Sequence, residues 1–173
     1  MIAEKGVSRF YKIDSERYHK DVEEYIPSFI KDVSLTYDEI LLPKRATKSS
    51  AGYDFYAPFD FTLKKGQSLK VPTGIRCKMN DDVVLFIVPR SSLGFKYRLQ
   101  LDNTIGVIDS DYYYSDNQGH IFVKITNDSK EDKVLTVKKG EAFCQGIFVR
   151  YLLTEDDDTT AIRNGGLGST NAT

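Results

Sequence analysis

From residue 33 onward the chain is divided into short runs of branched and aromatic residues separated by turn formers, and this punctuation restricts its fold more than any other feature. Runs at 33–37, 52–57, 68–71, 83–88, 120–126, 134–137 and 142–151 have strand character. Pro58, Lys65-Gly66, Pro72, Asn80-Asp81, Asn127-Asp128 and Lys139-Gly140 break them. Proline presets φ, glycine reaches dihedrals closed to other residues, and Asn or Asp bonds its own backbone. Many short strands joined by such turns predict an all-β fold, a sandwich or jelly roll.

The two ends read differently. Asp14-Ser15-Glu16-Arg17 is a helix start, and Tyr18, Val22, Tyr25, Ile26 and Phe29 follow near helical spacing until Pro27 ends or kinks the helix. Residues 1–32 are therefore expected to form a helical extension, 33–152 the β core, and 153–173 a linker and arm. The stripe fits a helix packed on the domain or on a neighbouring subunit, with a dedicated partner site as the alternative. Glu155-Asp156-Asp157-Asp158 is a solvated charge run, and 161–173 is too polar and glycine-rich to fold alone.

Composition excludes several classes. The 173 residues suit one domain with a full core. Lys and Arg number 24 against 25 Asp and Glu, so the net charge of −1 gives no global field toward nucleic acid or membrane. Cys77 and Cys144 lie far apart in sequence, outside any metal-like spacing, and read as reduced thiols of a cytoplasmic protein. His19 and His120 are the only histidines, and both read as surface residues. No apolar run reaches the roughly 18 residues of a membrane span.

Chemistry concentrates in Asn103-Thr104-Ile105-Gly106-Val107-Ile108-Asp109-Ser110-Asp111-Tyr112. Branched residues predict a strand, and Gly106 permits close backbone approach. Asp109 and Asp111 share a parity and would face one side of a regular strand. Tyr113, Tyr114 and Ser115-Asp116-Asn117-Gln118-Gly119 read as a hairpin tip. A carboxylate beside an aromatic wall suits a general base at a nucleoside pocket; solvated turn aspartates are the alternative.

This stretch resembles the third of five motifs of the trimeric dUTPase family. Ser50-Ala51-Gly52-Tyr53-Asp54-Phe55 resembles the first motif, Pro89-Arg90-Ser91-Ser92-Leu93-Gly94 the second, and Gly140-Glu141-Ala142-Phe143-Cys144-Gln145 the fourth. Arg163-Asn164-Gly165-Gly166-Leu167-Gly168-Ser169-Thr170 resembles the fifth. Together they run in the family order over roughly 33–173, and Val71-Pro72-Thr73-Gly74-Ile75 matches the family pattern before the second motif.

The resemblance implies a jelly-roll-like β-sandwich that hydrolyses dUTP to dUMP and pyrophosphate, limiting uracil in DNA and supplying dUMP. It makes Asp109 the base for a water attacking the α-phosphorus, and an ordinary aspartate, with a pKa of about 3.9, is ionised at neutral pH. Asn103 and the main chain of Gly106 and Ile108 would read uracil, while Tyr112 would pack on deoxyribose and exclude a 2′-hydroxyl. The alternative for Tyr112 is a core tyrosine. Arg90, Ser91, Ser92, Gln145 and Arg163 match phosphate-contacting positions, with Leu167, Gly168 and Ser169 closing the site. Asp54 would reach Mg²⁺ through water. The resemblance also implies a homotrimer with interfacial sites, since the first, second and fifth motifs do not all reach one third-motif pocket in a single compact chain.

Two departures stand out. Leu167 occupies the usual aromatic lid position, and the fifth motif is about one residue short after Arg163. The loop after the third motif is about five residues longer than usual, so Tyr113, Tyr114 or His120 could supply a stacking surface, or the loop could be only a longer tip. A dCTP deaminase shares the fold but needs an acid on the strand Ile121-Phe122-Val123-Lys124-Ile125-Thr126-Asn127, which has none. A regulatory binding module is a further alternative, for which residues 1–32 leave room.

Overall fold

The computed structural model describes residues 8–26, 37–163 and 165. The chain runs β1 (Arg9–Lys12), α1 (Ser15–Tyr25), β2 (Lys44–Arg45), β3 (Tyr53–Tyr56), β4 (Phe61–Leu63), β5 (Ser68–Pro72), β6 (Ile75–Lys78) and β7 (Val83–Pro89). It continues with α2 (Ser91–Tyr97), β8 (Leu99–Leu101), β9 (Gly106–Ile108), β10 (Phe122–Asn127), β11 (Leu135–Val137) and β12 (Ala142–Arg150). Short 3₁₀ turns cover Tyr37–Glu39 and Ser110–Tyr114.

The strands form a five-stranded sheet β2-β3-β12-β7-β9, a three-stranded sheet β5-β10-β8, and the pairs β1-β6 and β11-β4. All described pairings are antiparallel. Alternation explains why: β10 buries Val123, Ile125 and Asn127 and leaves Lys124 exposed, while β4 buries Phe61 and Leu63 around exposed Thr62. The inward residues meet in one core that includes Phe55, Leu69, Leu85, Ile125 and Phe143. This is the expected all-β, jelly-roll-like architecture.

The expected strands at 52–57, 68–71, 83–88, 120–126, 134–137 and 142–151 are all present with small boundary shifts. Of the expected strand at 33–37, only Tyr37 is described, and it opens a 3₁₀ turn. The N-terminal helix forms where the capping residues and apolar stripe place it and ends at Tyr25. Tyr18 and Val22 are buried in the domain core, so α1 is packed on its own chain. Ahead of it, β1 pairs with β6, with Phe10 opposite Cys77.

Two elements differ from expectation. Asp109 caps a 3₁₀ turn rather than continuing a strand, because φ −76° and ψ 158° at Asp109 lead directly into Ser110–Tyr114. Residues 113–119 are not a hairpin tip, since β9 pairs with β7 whereas β10 pairs with β5 and β8. The loop is a crossover between sheets.

Candidate active site

A cavity of about 320 Å³ opens beside the end of the large sheet, lined by Ala46, Ser50, Gly52, Asp54, Arg90, Ser91, Ser92 and Gln145. Strand register assembles it. Asp54 on β3 lies opposite Gln145 on β12, and Gln145 lies opposite Val88, two residues before Arg90. Arg90 Nε is 3.3 Å from Asp54 Oδ1, and Nη1 donates to the Ala142 carbonyl at 3.3 Å. Gln145 Nε2 donates to the Pro89 carbonyl at 3.3 Å. Ser91 and Ser92 open α2, whose first N–H groups have no partner within the helix. An arginine, serine hydroxyls and the start of a helix around one hollow are chemistry suited to an anion.

Glycine makes the hollow possible. A Cβ at Gly52 would fall on the Gln145 side-chain oxygen. Ala46, Ser50 and Gly52 were not singled out as site residues from the sequence, although Ser50 and Gly52 lie in its first motif; spacing reveals motif membership but not which members line a wall.

A second cluster surrounds Asp109. Arg163 Nη2 donates to Asp109 Oδ2 at 2.5 Å, and its Nε donates to Asp111 Oδ1 at 2.8 Å. The two aspartates therefore face one group, as parity suggested, although a turn rather than a strand brings them together. The Arg163 guanidinium carbon is 5.9 Å from the centroid of the Tyr112 ring. Tyr112 is 6 % exposed and belongs to the core. Its hydroxyl donates to the His120 carbonyl at 2.8 Å and accepts from Asn117 Nδ2 at 2.7 Å. Burial raises the Tyr112 phenol above its usual value, which keeps that donor proton in place.

The third-motif strand β9 lies at the edge of the large sheet. One side of its backbone pairs with β7, through Gly106 opposite Ile87 and Ile108 opposite Leu85, and the other side has no strand partner among the described residues. A Cβ at Gly106 would sit 3.0 Å from Ile87 Cβ, so glycine lets the strand lie close. Asn103 is exposed in the turn before it, where its carbonyl accepts from Ile105 N.

The two clusters do not meet within one chain. Ile108 lies opposite Leu85, five residues before Arg90, so Asp109 and Arg90 are separated by about 16 Å of strand or more. Leu167, Gly168 and Ser169 lie outside the described residues. His120, expected at the surface, is completely buried and pairs with Asp21, so it supplies no stacking face. Tyr113 is half-buried with the Arg76 guanidinium 3.7 Å from its ring centroid, whereas Tyr114 is 70 % exposed. Cys77 and Cys144 are free and buried. No helix among the described residues is long and apolar enough to cross a membrane.

Residues 38–171 match the dUTPase family. The chain belongs to that family. A dUTPase from Lactococcus lactis is 40% identical over 136 residues, which are 77% of this chain and 89% of that protein. One from Photorhabdus laumondii is 37% identical over 139 residues, 76% of this chain and 87% of its own length. The crystal structure of dUTPase from Streptococcus mutans superposes with a TM-score of 0.63 at 34% identity, covering 84% of this chain and 98% of that one. A Staphylococcus bacteriophage 80alpha dUTPase shares the fold, with a TM-score of 0.58 at 20% identity over 77% of this chain and 92% of that one.

Among the described residues no three His, Cys, Asp or Glu side chains converge on a metal position. Asp54 is the one carboxylate lining the cavity. That donor set fits Mg²⁺ carried by a triphosphate, since this ion is commonly bound through one or two carboxylates, substrate phosphates and water.

Proposed function

We propose that this dUTPase-family enzyme cleaves dUTP to dUMP and pyrophosphate, with Asp109 taking the proton of a water that attacks the α-phosphorus. The observation that carries the reading is the division of labour between an anion-binding cavity and a carboxylate beside Tyr112, each built from motifs in family order. The oxygen of water bonds to the α-phosphorus as the bond to the bridging oxygen of the β-phosphate breaks. Pyrophosphate leaves with the electron pair, and the proton passes to Asp109.

Arg90, the Ser91 hydroxyl, the Ser92 N–H and Gln145 bind the phosphates and stabilise charge on the leaving group. Asp54 would hold Mg²⁺ through water, and the ion would neutralise charge on the phosphate oxygens. The unpaired edge of β9, with Asn103, reads uracil; unsatisfied polar groups then reject a mismatched base. Tyr112 forms the sugar wall. Arg163 passes from Asp109 to the γ-phosphate when nucleotide binds, which uncovers the base and the ring, while Leu167, Gly168 and Ser169 close over the nucleoside.

Separation of the two clusters supports a site completed by a second copy, within a homotrimer. Two free, buried cysteine thiols, Cys77 and Cys144, suit a reducing, cytoplasmic setting. The decisive experiment measures pyrophosphate release from dUTP, dCTP, dTTP and UTP with Mg²⁺, for wild type and Asp109→Asn. Release from dUTP alone, lost in the variant, is expected. No release from any nucleotide refutes hydrolysis, and ammonia from dCTP shows a deaminase.

A further inference from the structure

The N-terminal segment, outside the region matching the family, is joined to the enlarged loop after the third motif at several points. His120 and Asp21 are both fully buried, and His120 Nδ1 lies 2.6 Å from Asp21 Oδ2. The Gly74 N–H donates to His120 Nε2 at 2.9 Å, so that nitrogen carries no proton and Nδ1–H donates to the carboxylate. Arg17 Nε lies 3.0 Å from the same carboxylate. The imidazole is clamped at both nitrogens, and its residue's carbonyl holds the Tyr112 hydroxyl.

A second tie lies at the helix start. Asp14 N donates to Gln118 Oε1 at 3.0 Å, and Gln118 Nε2 donates back to Asp14 Oδ2 at 2.9 Å. Between the ties the loop is held closed: Ser115 Oγ donates to the Tyr112 carbonyl at 2.7 Å, and the Gly119 N–H reaches Asn117 Oδ1 at 3.2 Å. Gly119 adopts φ +70°, and a Cβ there would lie 2.7 Å from Tyr113 Cα. A helix needing only to pack would be better served by an apolar residue at Asp21, because a buried carboxylate is costly even when paired.

We propose that Asp21 and His120 are positioning residues that fix Tyr112 as the wall excluding a 2′-hydroxyl, and that residues 8–26 are an internal brace for the site. The inference rests on the proposed role of Tyr112. Small displacements of a positioning group weaken selection strongly, and steric rejection of one hydroxyl depends on the wall not yielding.

The test compares kcat and KM for dUTP and UTP in the full-length enzyme, at a temperature where circular dichroism shows every variant folded. Asp21→Ala is expected to lower the dUTP-to-UTP ratio of kcat/KM by about tenfold. Asp21→Asn keeps an acceptor for Nδ1–H and is expected to stay within about twofold of wild type. Lys70→Ala removes the cation 3.5 Å from the Tyr25 ring centroid and 4.4 Å from that of Phe122, loosening α1 while leaving the hydrogen bonds Asp21–His120 and His120–Tyr112 in place. It should lower Tm and leave the ratio unchanged. If Asp21→Ala fails to fold, Gln118→Ala, which cuts the exposed tie, must still narrow the ratio. An unchanged ratio in Asp21→Ala, or in Gln118→Ala where that variant takes its place, overturns the brace if Tyr112→Ala collapses the ratio. If Tyr112→Ala itself leaves the ratio intact, the sugar-wall reading has failed and the brace falls with it.

Discussion

Arg163 bridges the two aspartates of the third motif, its Nη2 2.5 Å from Asp109 Oδ2 and its Nε 2.8 Å from Asp111 Oδ1. In the proposed mechanism Asp109 exchanges this partner before it takes a proton from water. The Asp109 side chain is about half exposed, so the bridge is screened and is worth at most about 1 kcal/mol to the fold. Arg163→Ala is therefore expected to leave Tm almost unchanged. It should lower kcat/KM for dUTP about 10- to 100-fold, mainly through KM, by removing a phosphate contact. Asp109→Asn should instead lose kcat, by about 10²-fold or more, with KM little altered. Steady-state kinetics beside thermal melts separate the two.

The buried Asp21–His120 pair makes stability fall in acid. Burial lowers the His120 pKa from 6.5, against the raising effect of Asp21, and the Arg17 and Lys70 charges act in the same direction as burial. For Asp21, burial raises the carboxyl, but hydrogen bonds from His120 and Arg17 outweigh it and hold the value below 3.8. A histidine with a folded pKa below its unfolded value of about 6.5 binds its proton more readily when unfolded. Its contribution is complete above that pH and is lost as pH falls toward the folded pKa. Asp21 adds a further loss below about 3.8, as protonation removes a charge the fold stabilises. Tm should begin to drop below about pH 6.5. His120→Gln should be less stable at neutral pH and should flatten the part of the profile above the aspartate range.

Gly52 is where shape alone controls the cavity. An alanine there would collide with the end of the flexible Gln145 side chain rather than with backbone. Gln145 can swing away, so Gly52→Ala should fold with a Tm close to wild type. It should raise KM for dUTP about tenfold by displacing the Gln145 amide from its proposed phosphate contact. Isothermal titration with a non-hydrolysable dUTP analogue would measure the loss directly; unchanged affinity would show that Gln145 does not touch the nucleotide.

Local pattern carried much of this fold. Alternation in β10 and the stripe Tyr18–Val22 are visible because each reflects one buried face. Strands β4, β6 and β8 are three or four residues long, too short for a period to register, and α2 begins in Ser-Ser with a glycine inside. Tyr112, Tyr113 and Tyr114 favour a strand by propensity, but Asp109 turns the chain and Asn117 and Ser115 close the loop beneath it. The motifs identified Asp54, Arg90 and Gln145 as associates, and register then brought them to one cavity. His120 was misjudged because its partner Asp21 is 99 residues away, and no local signal distinguishes a buried histidine from a solvated one.

Tyr113 and Tyr114 are adjacent, with rings 5.0 Å apart and edge-on, yet their surroundings differ. Tyr113 is committed to the fold: Arg76 stacks on its ring, Arg76 Nη2 donates to its carbonyl at 2.9 Å, and Tyr11 packs 6.0 Å away. Tyr114 is 70 % exposed and keeps a free face that Leu167 cannot offer. A stacked base is worth roughly 1–3 kcal/mol, so losing such a face weakens binding about tenfold or more. Tyr114→Ala should therefore raise KM for dUTP about tenfold without moving Tm, and Tyr114→Phe should restore it. Tyr113→Ala should lower Tm by several degrees, at about 1 kcal/mol for the lost cation–π contact, with a smaller change in KM. If Tyr114→Ala leaves KM unchanged, Tyr114 offers the base no stacking face, and the enlarged loop serves to meet the N-terminal segment.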